Sequence, residues 1–158
     1  MIELIPLSGG RVAIVDEEDY ESVKDFRWHF NPKTGYVYRY GLNEKTGKHG
    51  SIYLHRQIMG FPDNLVDHKD GVKVNCRRSN LREATPSQNQ YNKRKQAKKS
   101  ASKFKGVTKS EYSWVARIHH NKKRLWLGAY KTEEEAAIAY NSKAKELFGE
   151  FAVLNNVG

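Results

Sequence analysis

Four polar side chains in one stretch of the sequence have the types and the spacing that metal-assisted chemistry on a phosphate group needs. Asp67 and His68 are adjacent, Asn80 lies thirteen residues after the aspartate, and Asn89 lies nine residues further on. Carboxylate and amide oxygens suit a magnesium-type ion, which stabilises the charge that develops on a scissile phosphate. A neutral imidazole beside the ion can take the proton from the attacking water. The set predicts hydrolysis of a phosphodiester, in which Asn80 either fixes the loop or orients the histidine.

The sequence around these four residues predicts a strand, a loop, a second strand and a helix. The runs 65–68 and 79–82 form the strands. Thr-Pro-Ser-Gln at 85–88 starts the helix, because threonine caps the first turn and proline fits its first position. Such a unit can bring all four side chains to one point. Asn92 lies one turn beyond Asn89 on the same helix face, which makes it an alternative ligand.

Length and composition exclude several classes of protein. The chain has 158 residues, enough for one domain or two small ones. Aromatic residues make up 11%, too many for a disordered chain. Cys76 is the one cysteine, which excludes a disulfide framework and a Cys-rich zinc site and predicts an inert thiol in a reducing compartment. No apolar run approaches 18 residues, and no basic start precedes an apolar run at the N-terminus, so we expect neither a membrane span nor a secretory signal.

The positive charge is concentrated in the middle of the chain. Residues 1–50 carry a net charge of −1, residues 51–131 carry +14, and residues 132–158 carry −3. A concentrated positive field attracts polyanions, of which nucleic acid is the usual one, although a merely solvated basic surface is the alternative. The candidate phosphate contacts in this region are Arg77, Arg78, Lys93, Arg94 and Lys95.

The N-terminal segment predicts a small α+β unit. Its expected elements are a hairpin of 3–7 and 11–15, a helix over 17–24 with Asp16 as N-cap, and strands at 36–40 and 51–55. His55, on the second of these strands, is expected to be a structural histidine with satisfied hydrogen bonds. Seven basic and no acidic residues lie in 92–105, a composition typical of a linker.

The last third of the chain predicts three strands followed by one helix. The strands are expected near 105–108, 114–119 and 124–130, and the helix starts after Thr132. Alternation places Val115, Arg117 and His119 on one face of the second strand, and Arg124 with Trp126 on one face of the third. Long cations and a flat aromatic ring favour a contact surface, with a core tryptophan as the alternative at position 126.

The run 54–92 resembles the HNH nuclease superfamily, and especially the phage and intron-encoded homing-type endonucleases with a ββα-metal fold. The matching pieces are Leu54-His55-Arg56, Val66-Asp67-His68, Gly71, Arg77 to Arg82, and Ser87-Gln88-Asn89. The resemblance implies that Asp67 and Asn89 are metal ligands, that His68 is the general base and that Asn80 organises the loop. Asn89 stands where many members have histidine, which favours Mg²⁺ or Mn²⁺ over zinc. It also implies a phage or mobile-element gene whose product acts in the cytoplasm of a bacterial host.

Residues 102–155 are similar to the plant Apetala-type (ethylene-response-factor) DNA-binding domain. The matching landmarks are Lys105-Gly106-Val107, Trp114-Val115-Ala116, Trp126-Leu127-Gly128, Glu134 to Ala137, Ala139-Tyr140 and Ala152 to Asn155. The resemblance implies a three-stranded antiparallel sheet, backed by one helix, whose face enters the major groove. It assigns DNA contacts to Lys105, Arg117, His119, Arg124 and Trp126. Base preference does not transfer, because the family usually has glutamate at 117 and arginine at 119.

Together these observations predict an α+β protein that cuts double-stranded DNA. The expected domains are an HNH nuclease at 1–95 with its ββα-metal core at 54–95, a basic linker at 96–101 and an Apetala-type domain at 102–158. One active site predicts nicking, with a divalent ion and without a small-molecule cofactor or a membrane partner. The alternatives are a sequence-specific DNA-binding regulator with an inactive nuclease core and a non-specific nuclease. An RNA substrate is disfavoured because A-form RNA hides its major groove.

Overall fold

The computed structural model of the chain describes residues 1–91 and 101–158, in two units that comprise residues 1–86 and 87–158. The predicted α+β class is confirmed, since both units combine short helices with antiparallel strands. Asn92, Lys93, Arg94, Lys95 and nearly all of the predicted linker lie outside the described residues, so the domain boundaries at 95 and 102 stay predictions. In the described ranges, no helix is long and apolar enough to cross a membrane.

Three small antiparallel sheets and two short helices form the first unit. One hairpin pairs β1 (Ile2–Leu7) with β2 (Arg11–Asp16). A three-stranded sheet has the order β3 (His29–Phe30), β4 (Val37–Asn43), β5 (Lys48–Tyr53). A second hairpin pairs β6 (Leu65–His68) with β7 (Leu81–Ala84). The helices are α1 (Glu17–Val23) and α2 (Leu54–Ile58).

Alternation along the first hairpin builds the core of this unit. Ile5 and Leu7 from β1 and Ala13 and Val15 from β2 are buried together, as expected for strands with one face turned inward. Trp28 fills the centre, and its indole Nε1 donates to the carbonyl oxygen of Val23 at 2.8 Å. The predicted hairpin is therefore confirmed, and the tryptophan's polar atom is satisfied inside the core.

The structure corrects two local predictions in this unit. Asp16 is the N-cap residue of α1, as predicted, but its side chain makes no capping hydrogen bond, because its carboxylate is bound instead to Arg77 and to the backbone N–H of Arg78. The strand expected at 51–55 ends at Tyr53. Helix α2 begins there because the buried side chains of Leu54 and Ile58 are four residues apart, the spacing of one helical face.

The second unit is a sheet packed on one long helix. The division between the units falls at the start of α3 (Pro86–Tyr91). The sheet has the order β10 (Lys123–Tyr130), β9 (Trp114–His120), β8 (Val107–Lys109). The helix is α4 (Glu133–Phe148), and a 3₁₀ turn (Gly149–Phe151) follows it. These elements confirm the three strands and the helix predicted for this segment.

Three of the five buried residues of helix α4 are alanines, which lets the helix lie close to the sheet. Ala136 and Ala137 are fully buried and share a core with Val107 of β8 and Ala116 of β9. Thr132 caps the start of α4, as the sequence predicts, and its side chain also forms a capping box with Glu135. At Gly106 an added Cβ would lie 2.1 Å from the Tyr140 ring, so only glycine permits this approach of loop and helix.

Candidate functional site

The hairpin of β6 and β7 brings three of the predicted site residues to one end. Asp67 and His68 are the last residues of β6, and they pair with Arg82 and Leu81 of β7. Asn80 immediately precedes β7, and its carbonyl oxygen accepts from the N–H of Lys69 at 2.8 Å. The two strands therefore hold the ends of the intervening loop, residues 69–80, which we call the site loop.

The Asn80 side chain braces the site loop from inside. Its Nδ2 donates to Asp70 Oδ1 at 2.9 Å and to the Asn75 carbonyl oxygen at 2.8 Å. Its Oδ1 accepts from the Asp70 N–H at 3.1 Å. Of the two roles considered from the sequence, these contacts match loop fixation, so we treat Asn80 as a positioning residue.

Asp70 is a site-loop residue that sequence reasoning missed. Its carboxylate accepts from the Val72 N–H at 2.7 Å, from Asn75 Nδ2 at 2.8 Å and from Asn80. Burial opposes ionisation of Asp70, but these hydrogen bonds outweigh it and hold the pKa of the carboxyl below its ordinary value. The Asp70-Gly71 pair was the available signal, because aspartate before glycine commonly binds the backbone two residues on.

The N-terminal elements hold the outer side of the site loop. Ile14 of β2 donates its N–H to the Val74 carbonyl and accepts from the Cys76 N–H, both at 2.8 Å. Arg77 Nε donates to Asp16 Oδ1 at 2.9 Å. Arg78 makes a forked ion pair with the buried carboxylate of Asp19, at 2.7 and 2.9 Å. Both arginines, predicted as DNA contacts, thus have internal partners, and their contact with DNA stays a prediction.

His68 is buried in a way that keeps its imidazole neutral. Its side chain is 2% exposed. Burial, with Lys73 acting in the same direction, lowers the pKa of His68 to about 4. Its Nε2 lies 3.9 Å from the Cys76 sulfur, and burial raises the pKa of that thiol to about 12, so the thiol stays protonated. A neutral imidazole is the form that can accept a proton from water.

Asp67 is oriented by a buried arginine. Its Oδ2 accepts from Arg82 Nη2 at 3.0 Å and from Nε at 3.2 Å, and both side chains are 8% exposed. A carboxylate offers about four lone-pair directions, so pairing with arginine on one oxygen is compatible with metal ligation.

Asn89, the other predicted ligand, lies half-buried on α3, in the second unit. The chemistry of the donor set, one carboxylate and one amide oxygen, fits a hard divalent cation. In residues 1–91 and 101–158, no group of three or more His, Cys, Asp or Glu side chains is arranged to hold a metal ion. The sharing of one ion by Asp67 and Asn89 stays a prediction.

One face of the second unit's sheet carries four of the predicted DNA contacts. His119 lies directly opposite Arg124, and Arg117 lies opposite Trp126, and residues opposite each other in an antiparallel pair share a face. Trp126 is 65% exposed, so the alternative of a core tryptophan is wrong. We call these four residues the reader face.

Lys105, the fifth predicted DNA contact, precedes β8 in the chain. Its Nζ donates to the Tyr91 carbonyl oxygen at 2.9 Å, and burial lowers the pKa of its ammonium group. The backbone of Lys105 is held by the Asn155 side chain at 2.6 and 3.0 Å. Its predicted contact with DNA is untested, and the structure gives its ammonium group an internal partner.

Comparison with known proteins identifies the class to which this site belongs. A family model described as HNH endonuclease matches residues 54–91, the segment that contains the site loop and both strands of its hairpin. An HNH endonuclease of Acanthamoeba polyphaga mimivirus is 37% identical over 156 residues, which cover 94% of this chain and 76% of the relative. The chain belongs to the HNH endonuclease family.

A second group of relatives comes from plants and matches part of the chain. Dehydration-responsive element-binding protein 2E of Oryza sativa subsp. japonica is 44% identical over 59 residues, which cover 35% of this chain and 19% of the relative. An AP2-like ethylene-responsive transcription factor of Arabidopsis thaliana is 46% identical over 61 residues, covering 36% of this chain and 18% of the relative. The similarity therefore concerns one segment of much longer proteins.

Proposed function

We propose that this chain is a divalent-metal-dependent endonuclease that nicks double-stranded DNA at a site selected by its reader face. The observation that carries the proposal is the pair of buried side chains at the end of β6. His68 is neutral there, and Asp67 is oriented by Arg82. Proton transfer to a neutral base beside a metal-binding carboxylate is the chemistry of phosphodiester hydrolysis.

Each residue has a defined task in this reaction. His68 accepts the proton of the attacking water, and Arg82 orients the Asp67 carboxylate. Asp67 and Asn89 would hold Mg²⁺ or Mn²⁺, and the bound ion would neutralise charge on the scissile phosphate and the leaving oxygen. Asn80 keeps the site loop in shape. One such centre cuts one strand in each encounter, which is why we propose nicking.

The reader face would choose the site of cleavage. A three-stranded sheet fits the major groove of B-form DNA, where base edges can be distinguished. Arg117 and Arg124 have the donors for guanine and phosphate oxygens, and the exposed ring of Trp126 can pack on sugars and thymine methyl groups. The partial similarity to plant DNA-binding proteins supports this use.

We further propose that the protein acts on DNA in the cytoplasm of a bacterial host, as the product of a phage or mobile element. Its match to an HNH endonuclease of viral origin supports a mobile genetic source. A regulator with an inactive nuclease core is the competing proposal, and it predicts DNA binding without cleavage under every metal condition.

Nicking is expected to require a divalent ion and the Asp67 carboxylate. With Mg²⁺ or Mn²⁺ the protein should convert supercoiled plasmid to open circles, and chelation by EDTA should stop the reaction. Asp67→Asn should lose cleavage but retain DNA retardation. Asp63→Asn is the matched control, because its carboxylate is 99% exposed, and it should cleave like the parent. Cleavage that persists in EDTA would contradict the metal-dependent mechanism.

Loss of a reader-face side chain is expected to weaken DNA binding without changing the chemistry. Arg124→Ala should cost about 1–3 kcal/mol of binding free energy. If the lost contact is to a phosphate, the slope of log Kd against the logarithm of the salt concentration should fall by about 1. Trp126→Ala should also weaken binding. Tyr112→Ala is the control, since this tyrosine is 89% exposed but lies in a turn. Equal affinities for all these proteins, measured by anisotropy at several salt concentrations, would exclude this face as the reader.

A further inference from the structure

We propose that Tyr36 and His55 are positioning residues for His68, and that their rings form a wall that fixes the plane of its imidazole. The inference rests on the proposed function of His68 as the general base. Neither ring is assigned a part in the reaction above. Both come from other elements than the strand that carries His68: Tyr36 precedes β4, and His55 lies in the first turn of α2.

The wall is a set of ring contacts around His68. The His55 ring meets His68 edge to face, with centroids 5.0 Å apart and planes at 62°. The Tyr36 ring stacks on the His55 ring, with centroids 5.0 Å apart and planes at 29°. The centroid of the Tyr36 ring also lies 6.1 Å from that of His68. Aromatic pairs at these separations have preferred mutual orientations, so a displacement of either ring changes the setting of the imidazole.

The wall is itself held by the core and by the site loop. Leu54 and Ile58, on either side of His55 in α2, are buried in the core of the first unit. The Lys73 ammonium, from the site loop, lies 3.6 Å from the centre of the Tyr36 ring, close enough for a cation–π contact. The site loop, which follows His68 in the chain, therefore also holds the Tyr36 ring in place.

His55 positions His68 through the shape of its ring and not through a hydrogen bond of its ring nitrogens. The side chain is 5% exposed, and its Nδ1 is buried and has no hydrogen-bond partner among the residues that the structure describes. A buried polar atom with no partner destabilises the folded state relative to an apolar ring of the same shape. Phenylalanine at this position should thus preserve the wall and improve the fold.

The ring contacts add to a weak polar contact of the His68 ring. The Cys76 sulfur is 3.9 Å from His68 Nε2, and a thiol is a poor partner for imidazole. Displacement of a reacting group by about 1 Å can cost about 100-fold in rate. A leucine in place of either wall residue leaves room for such a displacement.

Paired substitutions separate the ring from the polar atoms. We expect His55→Leu and Tyr36→Leu to lower kcat for plasmid nicking by about 10- to 100-fold, with KM within about twofold. His55→Phe and Tyr36→Phe should keep the kcat of the parent, and His55→Phe should also raise Tm. Assays run well below the lowest Tm ensure that all the variants are folded.

Two results would overturn the proposal. Leucine variants that cut as fast as the parent would show that the rings only stabilise the fold. Phenylalanine variants that lose as much rate as the leucine variants would show that a polar atom is used. NMR gives a readout that is independent of cleavage. Nuclear Overhauser contacts between the His68 ring and Cys76 should persist in the phenylalanine variants and weaken in the leucine variants. Unchanged contacts in the leucine variants would also overturn the proposal. Absence of cleavage by the parent would refute the proposed function, while this measurement would still decide whether the rings position His68.

Discussion

His68→Ala is expected to slow the nicking of supercoiled DNA by about 10²- to 10⁴-fold, the usual effect of removing a general base. Among the residues that the structure describes, the side chains next to the His68 ring are poor substitutes for it. The thiol of Cys76 is protonated, and the His55 ring is 5% exposed and stacked on Tyr36. Single-turnover rates with the parent and the variant at equal enzyme excess measure the loss.

The control for this substitution must be a histidine that plays no part in the site. His49 is exposed on β5, and His49→Ala should nick at the rate of the parent. DNA retardation by His68→Ala should equal that of the parent, because the reader face is untouched. Equal nicking rates for the parent and His68→Ala would move the chemistry to another residue.

Asn80→Ala is expected to destabilise the first unit by about 3–5 kcal/mol and to reduce cleavage with it. The substitution removes two donated hydrogen bonds and one accepted bond, and one of the three joins the charged carboxylate of Asp70. Hydrogen bonds to charged groups are worth about 1.5–3 kcal/mol and neutral ones about 1 kcal/mol. Urea unfolding followed by tryptophan fluorescence gives the change in stability.

Two further variants sharpen this test. Asn80→Asp keeps the size of the side chain but places a second carboxylate against Asp70, so at neutral pH it should be at least as damaging as alanine. Asn64→Ala removes one exposed hydrogen bond, to Glu83, and should change stability by less than about 1 kcal/mol. An Asn80→Ala protein with the unfolding midpoint of the parent would show that the site loop does not depend on this amide.

The elements predicted correctly from the sequence are those whose signals are local. The capping box of Thr132 and Glu135 and the alanines on one face define α4 without reference to the rest of the chain. The alternating run of β9 and β10 likewise predicts which residues share the reader face. The matching pieces over residues 54–92, from Leu54-His55-Arg56 to Ser87-Gln88-Asn89, were sufficient to indicate the family.

The predictions that fail depend on partners far along the chain. Asp16 has the sequence context of a helix cap, yet arginines 61 and 62 residues away take its carboxylate. The internal partner of Arg77 was missed for the same reason, because a basic residue in a basic segment carries no sign of an acid so far along the chain; its contact with DNA stays a prediction. Burial decides the start of α2, since a pattern of two apolar residues around His55 fits a strand end or a helical turn equally well.

The site loop is attached to β2 and α1, so its conformation depends on residues outside the segment that matches the family. The matched family segment, 54–91, contains the proposed reacting groups but not Ile14, Asp16 or Asp19, to which the site loop is bound. These contacts join residues about sixty positions apart, so forming them costs chain entropy, and the hairpin of β1 and β2 must be present for the site loop to make them. If residues 54–91 alone were grafted into another scaffold, the proposed reacting groups would be present, but the site loop would lack the contacts with this hairpin that make it rigid.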